Sequence, residues 1–411
     1  MSVRKRDKEI VRGLAAQVAE IASLPVQEET RRLWRKLNGL KPERPMVMID
    51  QVCWNEMNIN DELTIKCEDE ECRPYERQMR MALFQWKHFP VDMVVEPFIK
   101  VRKAVNDTGF GISADDEVAV MDASNGVQGH LYKNQLATDG DLDRIKMPVI
   151  THDTAETERR MAFATELFGD TIELRPWAFV PYLGIWDAVT TWMGAQNLLM
   201  AIIDRPEFMH RVAAKLSKGY LHKLDQLEAL GVLGDPQGTI HCTGAYTDEL
   251  PAEGYDPAKP RSEDRWMFGL AQILGSVSPA MYDEFEITYA KPICERFGLV
   301  YYGCCEPLHG KMDQVRKLPN VRKVSMSPWV DQRRGAEEIA GDYVYSRKPN
   351  PALLAASFDA DAIRKDLTAT RDICAEHGCP LEFIQKDIST VCYEPQRLFD
   401  WATIAMEVAQ G

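Results

Sequence analysis

Hydrophobic and polar positions alternate regularly along the second part of the chain. From about residue 147 onward, short apolar runs alternate with longer segments in which apolar residues recur at helical spacing. This pattern predicts helices at about 154–169, 185–203, 205–230, 279–297, 331–340, 359–377 and 395–409. The strands predicted between them are TIELR, GTIHC, LVYYGC, VRKVSMS, DYVYS and PLEFIQKD. Capping residues support two of the helix starts, Asp153 at the first and Ser278 with Pro279 at the fourth.

Strands and helices that alternate in this way are typical of two architectures, a closed (β/α)8 barrel and an open, doubly wound parallel sheet. Neither a GxGxxG nor a GxxxxGK[ST] phosphate-binding loop occurs in the sequence. Because open nucleotide-binding sheets usually carry such a loop, the pattern favours an α/β fold of the (β/α)8 TIM barrel type.

The beginning of the chain has a different pattern. Val11, Leu14 and Val18 recur at helical spacing, and RPMVMIDQV is typical of a strand. Turn signals and short strand candidates fill residues 96–146. The predicted organisation is a mainly helical N-terminal extension at 1–95 that packs on the barrel, and the (β/α)8 barrel itself at 96–411.

Composition narrows the range of partners. The 411 residues carry 63 acidic and 49 basic side chains, a formal net charge of -14, which repels nucleic acid and anionic membranes. The N-terminus has no signal-peptide pattern, and no run of about 18 apolar residues occurs. We therefore expect a cytoplasmic protein whose ten cysteines are mostly free thiols.

Reactive side chains follow the predicted strands. A (β/α)8 barrel places its active site at the carboxyl ends of the strands, so these positions are the candidates. They are His241 with Tyr246, Asp248 and Glu249; Cys304, Cys305, Glu306 and His309; Ser325, Ser327 and Trp329; Arg347 and Lys348; and Lys386, Asp387 and Cys392. Polar residues are common in strand-to-helix loops of any protein, so each residue alone is weak evidence.

The stretch YYGCCEPLHG is the strongest candidate for a metal site. In an extended segment Cys304 and Glu306 point to one side and Cys305 to the other. Thiolate and carboxylate ligands suit Zn²⁺, and His241 or Cys392 from a neighbouring strand end would complete the site. The alternative is a pair of half-buried thiols beside a loop carboxylate, with no metal.

Four segments resemble the uroporphyrinogen decarboxylase superfamily, which also contains the corrinoid-dependent methyltransferases of anaerobes. They are LLMAIIDRPEFMHRVAAKL, LVYYGCCEPL, GDYVYSRKPNPALL and KDISTVCYEPQRLFDW, and the resemblance covers about residues 150–410. It implies a single (β/α)8 barrel.

In the methyltransferase branch, the resemblance implies a zinc site made of His-x-Cys and a second Cys near the C-terminus. Tyr302 falls on that His, Cys304 on the first Cys, and Cys392 on or near the second. Since Tyr302 departs from the pattern, Glu306 or His241 would have to replace the missing ligand, or Cys305 if the loop is shifted. No stretch here matches the arginine-rich segment of the true decarboxylases.

The leading hypothesis is an enzyme that moves a methyl group between a small methoxylated or N-methylated compound and a separate corrinoid protein, assisted by zinc. Arg347, Lys348 and Lys386 would orient an anionic substrate. Tyr246, Tyr302 and Trp329 would stack on it or form hydrogen bonds with it at the mouth of the site. A homodimer is a further expectation.

Two alternatives keep the fold. One is a decarboxylase or lyase on a tetrapyrrole or aromatic acid, in which Asp248, Glu249 or Asp387 would act with the basic residues. The other is a non-catalytic, tetrapyrrole-binding barrel.

Overall fold

A computed structural model describes residues 4–120, 128–179 and 181–411. Its strands are β1 (Met46–Ile49), β2 (Phe98–Arg102), β3 (Ala104–Asp107), β4 (Asp116–Ala119), β5 (Gly129–Tyr132), β6 (Ile150–Asp153), β7 (Glu173–Trp177), β8 (Tyr182–Leu183), β9 (Thr239–Ile240), β10 (Thr243–Gly244), β11 (Trp266–Gly269), β12 (Leu299–Tyr302), β13 (Val321–Met326), β14 (Val344–Arg347) and β15 (Leu381–Gln385).

The α-helices are α1 (Lys5–Ala22), α2 (Pro25–Asn38), α3 (Arg73–His88), α4 (Thr154–Phe168), α5 (Ile185–Met193), α6 (Ala195–Asp204), α7 (Pro206–Ala229), α8 (Pro279–Tyr282), α9 (Thr288–Cys294), α10 (Met312–Val315), α11 (Gln332–Ile339), α12 (Ala352–Ala355), α13 (Ala360–Glu376) and α14 (Gln396–Gln410). A π-helical turn, Asp283–Ile287, joins α8 to α9. Short 3-10 helices cover Trp54–Glu56, Ile59–Asp61, Asp139–Arg144, Ser262–Asp264 and Gln272–Ser276.

The centre of the fold is a parallel sheet of seven strands in the order β1-β15-β14-β13-β12-β11-β8. Every residue of β11, β12, β14 and β15 is buried, as expected for parallel strands covered on both faces. Because all seven strands run the same way, their carboxyl ends lie along one edge. The sequence therefore predicts the α/β class correctly.

The second part of the fold prediction concerns whether the sheet closes into a barrel. Within the described residues, no ladder joins the two edge strands, β1 and β8. The remaining strands form separate pairs: β2 with β7 in parallel, and β3 with β6, β4 with β5 and β9 with β10 antiparallel. The ladders among the described strands therefore join seven strands in a row and do not confirm the closed sheet that the sequence predicts.

The first strand of the sheet comes from the stretch predicted as an extension. β1 pairs in parallel with β15, from Met46 opposite Glu382 to Ile49 opposite Gln385. Before it, α2 buries Trp34, whose indole Nε1–H donates a hydrogen bond to the Asp92 carbonyl oxygen at 2.8 Å. The segment at 1–95 therefore contributes a strand to the sheet as well as helices that pack on it.

Most predicted helices and strands are found within a few residues of their predicted bounds. Asp153 caps α4 by accepting a hydrogen bond from the Glu156 amide, and Ser278 caps α8 by accepting one from the Met281 amide. The prediction missed β11, since its sequence WMFG is short and unbroken by polar residues. No helix in the described ranges is long and apolar enough to cross a membrane.

Candidate functional site

Polar side chains from five segments meet at the carboxyl edge of the sheet. Cys304 and Cys305 follow β12, Lys348 follows β14, and Lys386 with Asp387 follow β15. His241 lies at the tip of the β9–β10 hairpin, and Asp50 follows β1 directly. Convergence of this kind at the strand ends is typical of active sites in α/β proteins.

The thiol of Cys304 lies at the centre of this group. Its Sγ is 3.7 Å from His241 Nε2, 3.5 Å from Cys305 Sγ and 3.5 Å from Lys386 Nζ. The side chain is 4% exposed, so the sulfur sits on the floor of the site, beneath groups that solvent can reach.

Two buried lysines surround this sulfur with positive charge. Lys386 Nζ lies 2.5 Å from His241 Nε2, and Lys348 Nζ donates a hydrogen bond to the Cys304 carbonyl oxygen at 2.9 Å. The Ser325 hydroxyl donates to the same carbonyl at 2.6 Å. These contacts fix the backbone of Cys304 and bring the Lys386 ammonium against the thiol.

The local charges favour a Cys304 thiolate. The hydrogen bond from Cys305 is the largest influence and lowers the pKa of Cys304; burial opposes this, while His241 and the two lysines lower it further. The shared hydrogen bond has the opposite effect on the neighbour and raises the pKa of Cys305 well above its ordinary value. The two shifts have opposite directions, so the site favours the thiolate form at Cys304 and the protonated thiol at Cys305.

His241 is held in a restricted conformation. Its backbone has a φ of 49°, in the left-handed region that non-glycine residues rarely adopt, and its ring stacks on Phe268 with centroids 3.7 Å apart. Desolvation lowers the pKa of His241. In the neutral tautomer that carries no proton on Nε2, this nitrogen accepts the hydrogen bond from the Lys386 ammonium.

Two carboxyl groups complete the site. Asp387 Oδ2 lies 3.4 Å from Cys305 Sγ, and the Asp387 backbone has a left-handed φ of 61°. The Gln51 side-chain oxygen accepts a hydrogen bond from the Asp387 amide, which ties the β1 and β15 loops together. Burial raises the pKa of Asp50 to about 6, although Lys386 and Lys348 oppose the shift. Asp50 is therefore a proton donor in the weakly acidic range.

The arrangement around Cys304 tests whether the predicted ligands could hold a zinc ion. Among the described residues, no group of three or more His, Cys, Asp or Glu side chains could hold a metal ion. The nitrogen of Lys386 lies within 3.5 Å of both His241 Nε2 and Cys304 Sγ, where a metal bridging the two would have to bind. The side chains as arranged do not fit a zinc ion.

Glu306 and Cys392, the other predicted ligands, make contacts elsewhere. Glu306 accepts hydrogen bonds from the Cys304 amide at 2.8 Å and the Ala271 amide at 3.1 Å, one with each carboxylate oxygen. The exposed Cys392 thiol donates to the Ala355 carbonyl oxygen at 3.1 Å. Neither side chain forms a described contact with the Cys304 sulfur.

Several predicted substrate-binding residues also lie apart from the sulfur. Tyr302 is fully buried and its hydroxyl donates to Glu286 at 2.9 Å, on the opposite side of β12 from the Tyr301 ring that packs beside His241. Arg347 is buried and donates to the Ser327 carbonyl oxygen at 2.8 Å. Trp329 is 70% exposed.

The acidic segment after the hairpin turns away from the site. The Tyr246 hydroxyl donates to Glu96 at 2.7 Å, Glu249 forms an ion pair with Arg322, and Asp248 is 85% exposed. Of the residues predicted as catalytic, Asp387 alone makes a described contact with the cysteine pair.

Sequence reasoning missed Asp50 and Phe268. Asp50 directly follows the predicted strand RPMVMIDQV, so its position at a strand end was a usable signal, but the segment was assigned to the extension. Phe268 belongs to β11, which was not predicted.

No protein-family model matches the chain, and no curated protein sequence matches it. Among solved structures, the chain is similar to a methyltransferase from Methanosarcina mazei, with 10% sequence identity over 92% of this chain and 97% of that chain. The TM-score is 0.49, a likeness too distant to indicate function.

Proposed function

We propose that this chain is a methyltransferase that moves a methyl group between a small methoxylated or N-methylated compound and a corrinoid protein. The observation that carries the proposal is the Cys304 sulfur, held 3.7 Å from His241 and 3.5 Å from Lys386 at the carboxyl edge of the sheet. The sequence resemblance over residues 150–410 supports it independently.

Methyl transfer is a displacement at carbon, and its barrier falls when the leaving atom is stabilised and the reactants are aligned. For a methoxylated donor, the leaving oxygen keeps the electron pair of the broken bond to the methyl carbon. In the proposal, Lys386 would donate a hydrogen bond to that oxygen, and the Asp50 carboxyl group, whose pKa burial raises to about 6, would supply its proton. The corrinoid of the partner would supply the cobalt nucleophile that takes the methyl group.

In this proposal, Cys304 holds Lys386 in place through the 3.5 Å contact between Sγ and Nζ. A thiolate beside a buried ammonium offsets the cost of burying that charge. Cys305 and Asp387 continue the hydrogen-bonded chain to solvent, since the Asp387 side chain is exposed. Trp329 and Tyr393, which are 70% and 63% exposed on loops after β13 and β15, provide an apolar rim for the partner protein.

The proposal includes two further expectations from the sequence, the closed barrel and the assistance of zinc. A closed barrel requires β2 and β7 to stand between β1 and β8, and their order in the chain is compatible with that arrangement. Zinc assistance would require Lys386 to leave its position and Cys392 to approach Cys304, so no step is assigned to a metal.

The experiment uses reduced free cobalamin in place of the partner. The purified chain is incubated with panels of methoxylated benzoates and N-methylated amines, and methylcobalamin formation is followed by absorbance. We expect turnover on at least one donor and a loss of about 100-fold or more in Cys304→Ser and Lys386→Met. Cys392→Ser is the matched thiol control and should keep its activity. Absence of methylcobalamin with every donor would exclude the proposal.

A lyase acting on an organic acid is the second candidate. Lys348 and Lys386 would bind a carboxylate, and Asp50 would protonate the carbanion left when CO₂ departs. Release of CO₂ from an aromatic acid that persists in Cys304→Ser would favour this function over methyl transfer.

A further inference from the structure

We propose that a second cavity, between β1, β2 and the β9–β10 hairpin, binds an organic monocarboxylate with an apolar body of about ten non-hydrogen atoms. The cavity has a volume of about 290 Å³ and is covered on its outer side by α3. None of its lining residues belongs to the Cys304 site, so the inference stands apart from the proposed function.

The wall of the cavity is mainly apolar. Val91, Met93, Val94 and Phe98 line it, and each is partly exposed, although β2 and the segment before it lie inside the fold. Partly exposed apolar side chains around a concave space are typical of ligand pockets, because a ligand would remove their surface from water.

One group of charges at the cavity is already neutralised. Both carboxylate oxygens of Glu96 are engaged, one by Arg31 at 3.2 Å and the other by the Tyr246 hydroxyl at 2.7 Å. This arrangement leaves Glu96 without a free oxygen for a cationic ligand. It also explains the position of Tyr246, which lines this cavity and not the Cys304 site.

Asp92, a second carboxylate of the lining, is paired with Arg44, whereas three other polar side chains have no hydrogen-bonded partner within the described residues. Lys100 on β2, and Gln78 and Gln85 on α3, line the cavity and make no side-chain hydrogen bond or ion pair within the described residues. Gln78 and Gln85 are seven residues apart and so share one face of the helix. Desolvation lowers the pKa of Lys100, and the negative charge of Glu96 opposes this shift.

These features define the ligand. An unpaired ammonium with two free amides recognises a carboxylate, and the apolar wall recognises the body of the molecule. At about 30 Å³ for each displaced water, the cavity has room for about ten such volumes. A cationic or highly polar ligand would leave the apolar wall or the ammonium unsatisfied.

The test is isothermal titration calorimetry of the full chain with octanoate, octanol and octylamine. We expect octanoate to bind with one site per chain, octanol more weakly, and octylamine weakest. Lys100→Met should weaken octanoate binding about tenfold, the loss expected for one charged hydrogen bond, and leave octanol binding unchanged. Ala82→Trp should fill the cavity and abolish binding of both.

Folding of each variant is checked by circular dichroism and thermal unfolding. Gln78→Ala provides a second variant of the cavity lining and should weaken octanoate binding about threefold. The proposal is overturned if octanoate does not bind the wild-type chain, if Lys100→Met binds it as tightly, or if Ala82→Trp keeps full affinity. Ala82→Trp changes the cavity and leaves the Cys304 site intact, so it should still form methylcobalamin. Loss of octanoate binding can therefore be told apart from failure of the proposed methyl transfer.

Discussion

Lys386 links the charged residues of the candidate site. Its ammonium lies 3.5 Å from Cys304 Sγ, so replacing it removes a positive charge that stabilises the thiolate. In Lys386→Met we expect the pH midpoint for alkylation of Cys304 by iodoacetamide to rise by about one unit, and Lys386→Arg to restore most of it. Peptide mass spectrometry distinguishes Cys304 from Cys305. An unchanged midpoint would show that the lysine does not act on the thiol.

The metal content can be tested at the same residues. Since the described side chains do not form a group that could hold a metal ion, we expect far less than one zinc per purified chain, and activity that survives a chelator. Plasma mass spectrometry of the wild type and of Cys304→Ser measures this. One zinc per chain that disappears in Cys304→Ser would mean that Lys386 gives way to a metal.

At the residue scale, the sequence located the important positions but not their directions. His241, Cys304, Lys348 and Lys386 were all predicted because they follow strands. The pairing of Cys304 with Glu306 assumed an extended chain, but Gly303 has a φ of 90° and bends it. After that bend the alternation of side chains no longer holds, and Glu306 turns to backbone amides.

At the scale of elements, the π-helical turn Asp283–Ile287 makes stability depend on pH. Burial raises the pKa of Glu286 to about 8, from 4.5 for the free side chain. Between these values the folded chain keeps a proton that the unfolded chain loses, so stability falls as pH rises through this window. The free energy of unfolding, measured in urea, should therefore be lower at pH 8 than at pH 5 in the wild type. We expect Glu286→Gln to make this difference smaller by roughly 3 kcal/mol. Glu284→Gln, which changes an exposed carboxylate of the same turn, should unfold as the wild type does.

The β9–β10 hairpin depends on a close approach to α2. A Cβ at Gly244 would lie 2.4 Å from Cδ2 of the Trp34 ring, so the hairpin that carries His241 requires glycine there. We expect Gly244→Ala to cost about 1–3 kcal/mol in urea unfolding and to lower activity. Gly13→Ala has open space in the exposed face of α1 and should stabilise the chain by about 1 kcal/mol. Equal effects of the two substitutions would contradict this packing.

Element types were easier to predict than sheet membership. Helices α4, α7, α13 and α14 have long apolar periodicities, which local spacing reveals. β9 and β10 have two residues each, and their pairing depends on contacts with Trp34 and Glu382 that are distant in sequence. Strands of two residues are too short to show an alternation of apolar and polar residues. The pairing of β1 with β15 could not be predicted either, because the two strands are more than 300 residues apart in the sequence.

At the scale of the whole molecule, the N-terminal segment is built into the central sheet through β1. β1 is an edge strand of the sheet, and the Asp92 carboxylate accepts a hydrogen bond from the Val47 amide at 2.8 Å. Asp92 also forms an ion pair with Arg44. The segment after α3 therefore holds β1 through hydrogen bonds and an ion pair, in addition to the ladder that joins β1 to β15.

Trp34 tests this role, because it connects α2, Asp92 and the hairpin beneath the sheet. Its side chain is 1% exposed, and Lys323 Nζ lies 5.0 Å from the ring centroid, above a buried ion pair with Glu382. We expect Trp34→Ala to cost about 3–5 kcal/mol in urea unfolding, because it leaves a cavity and removes the hydrogen bond to Asp92. Trp329→Ala makes the same substitution at a 70% exposed side chain and should cost less than about 0.5 kcal/mol. If the two variants unfold alike, the N-terminal segment is a separable extension and not part of the central fold.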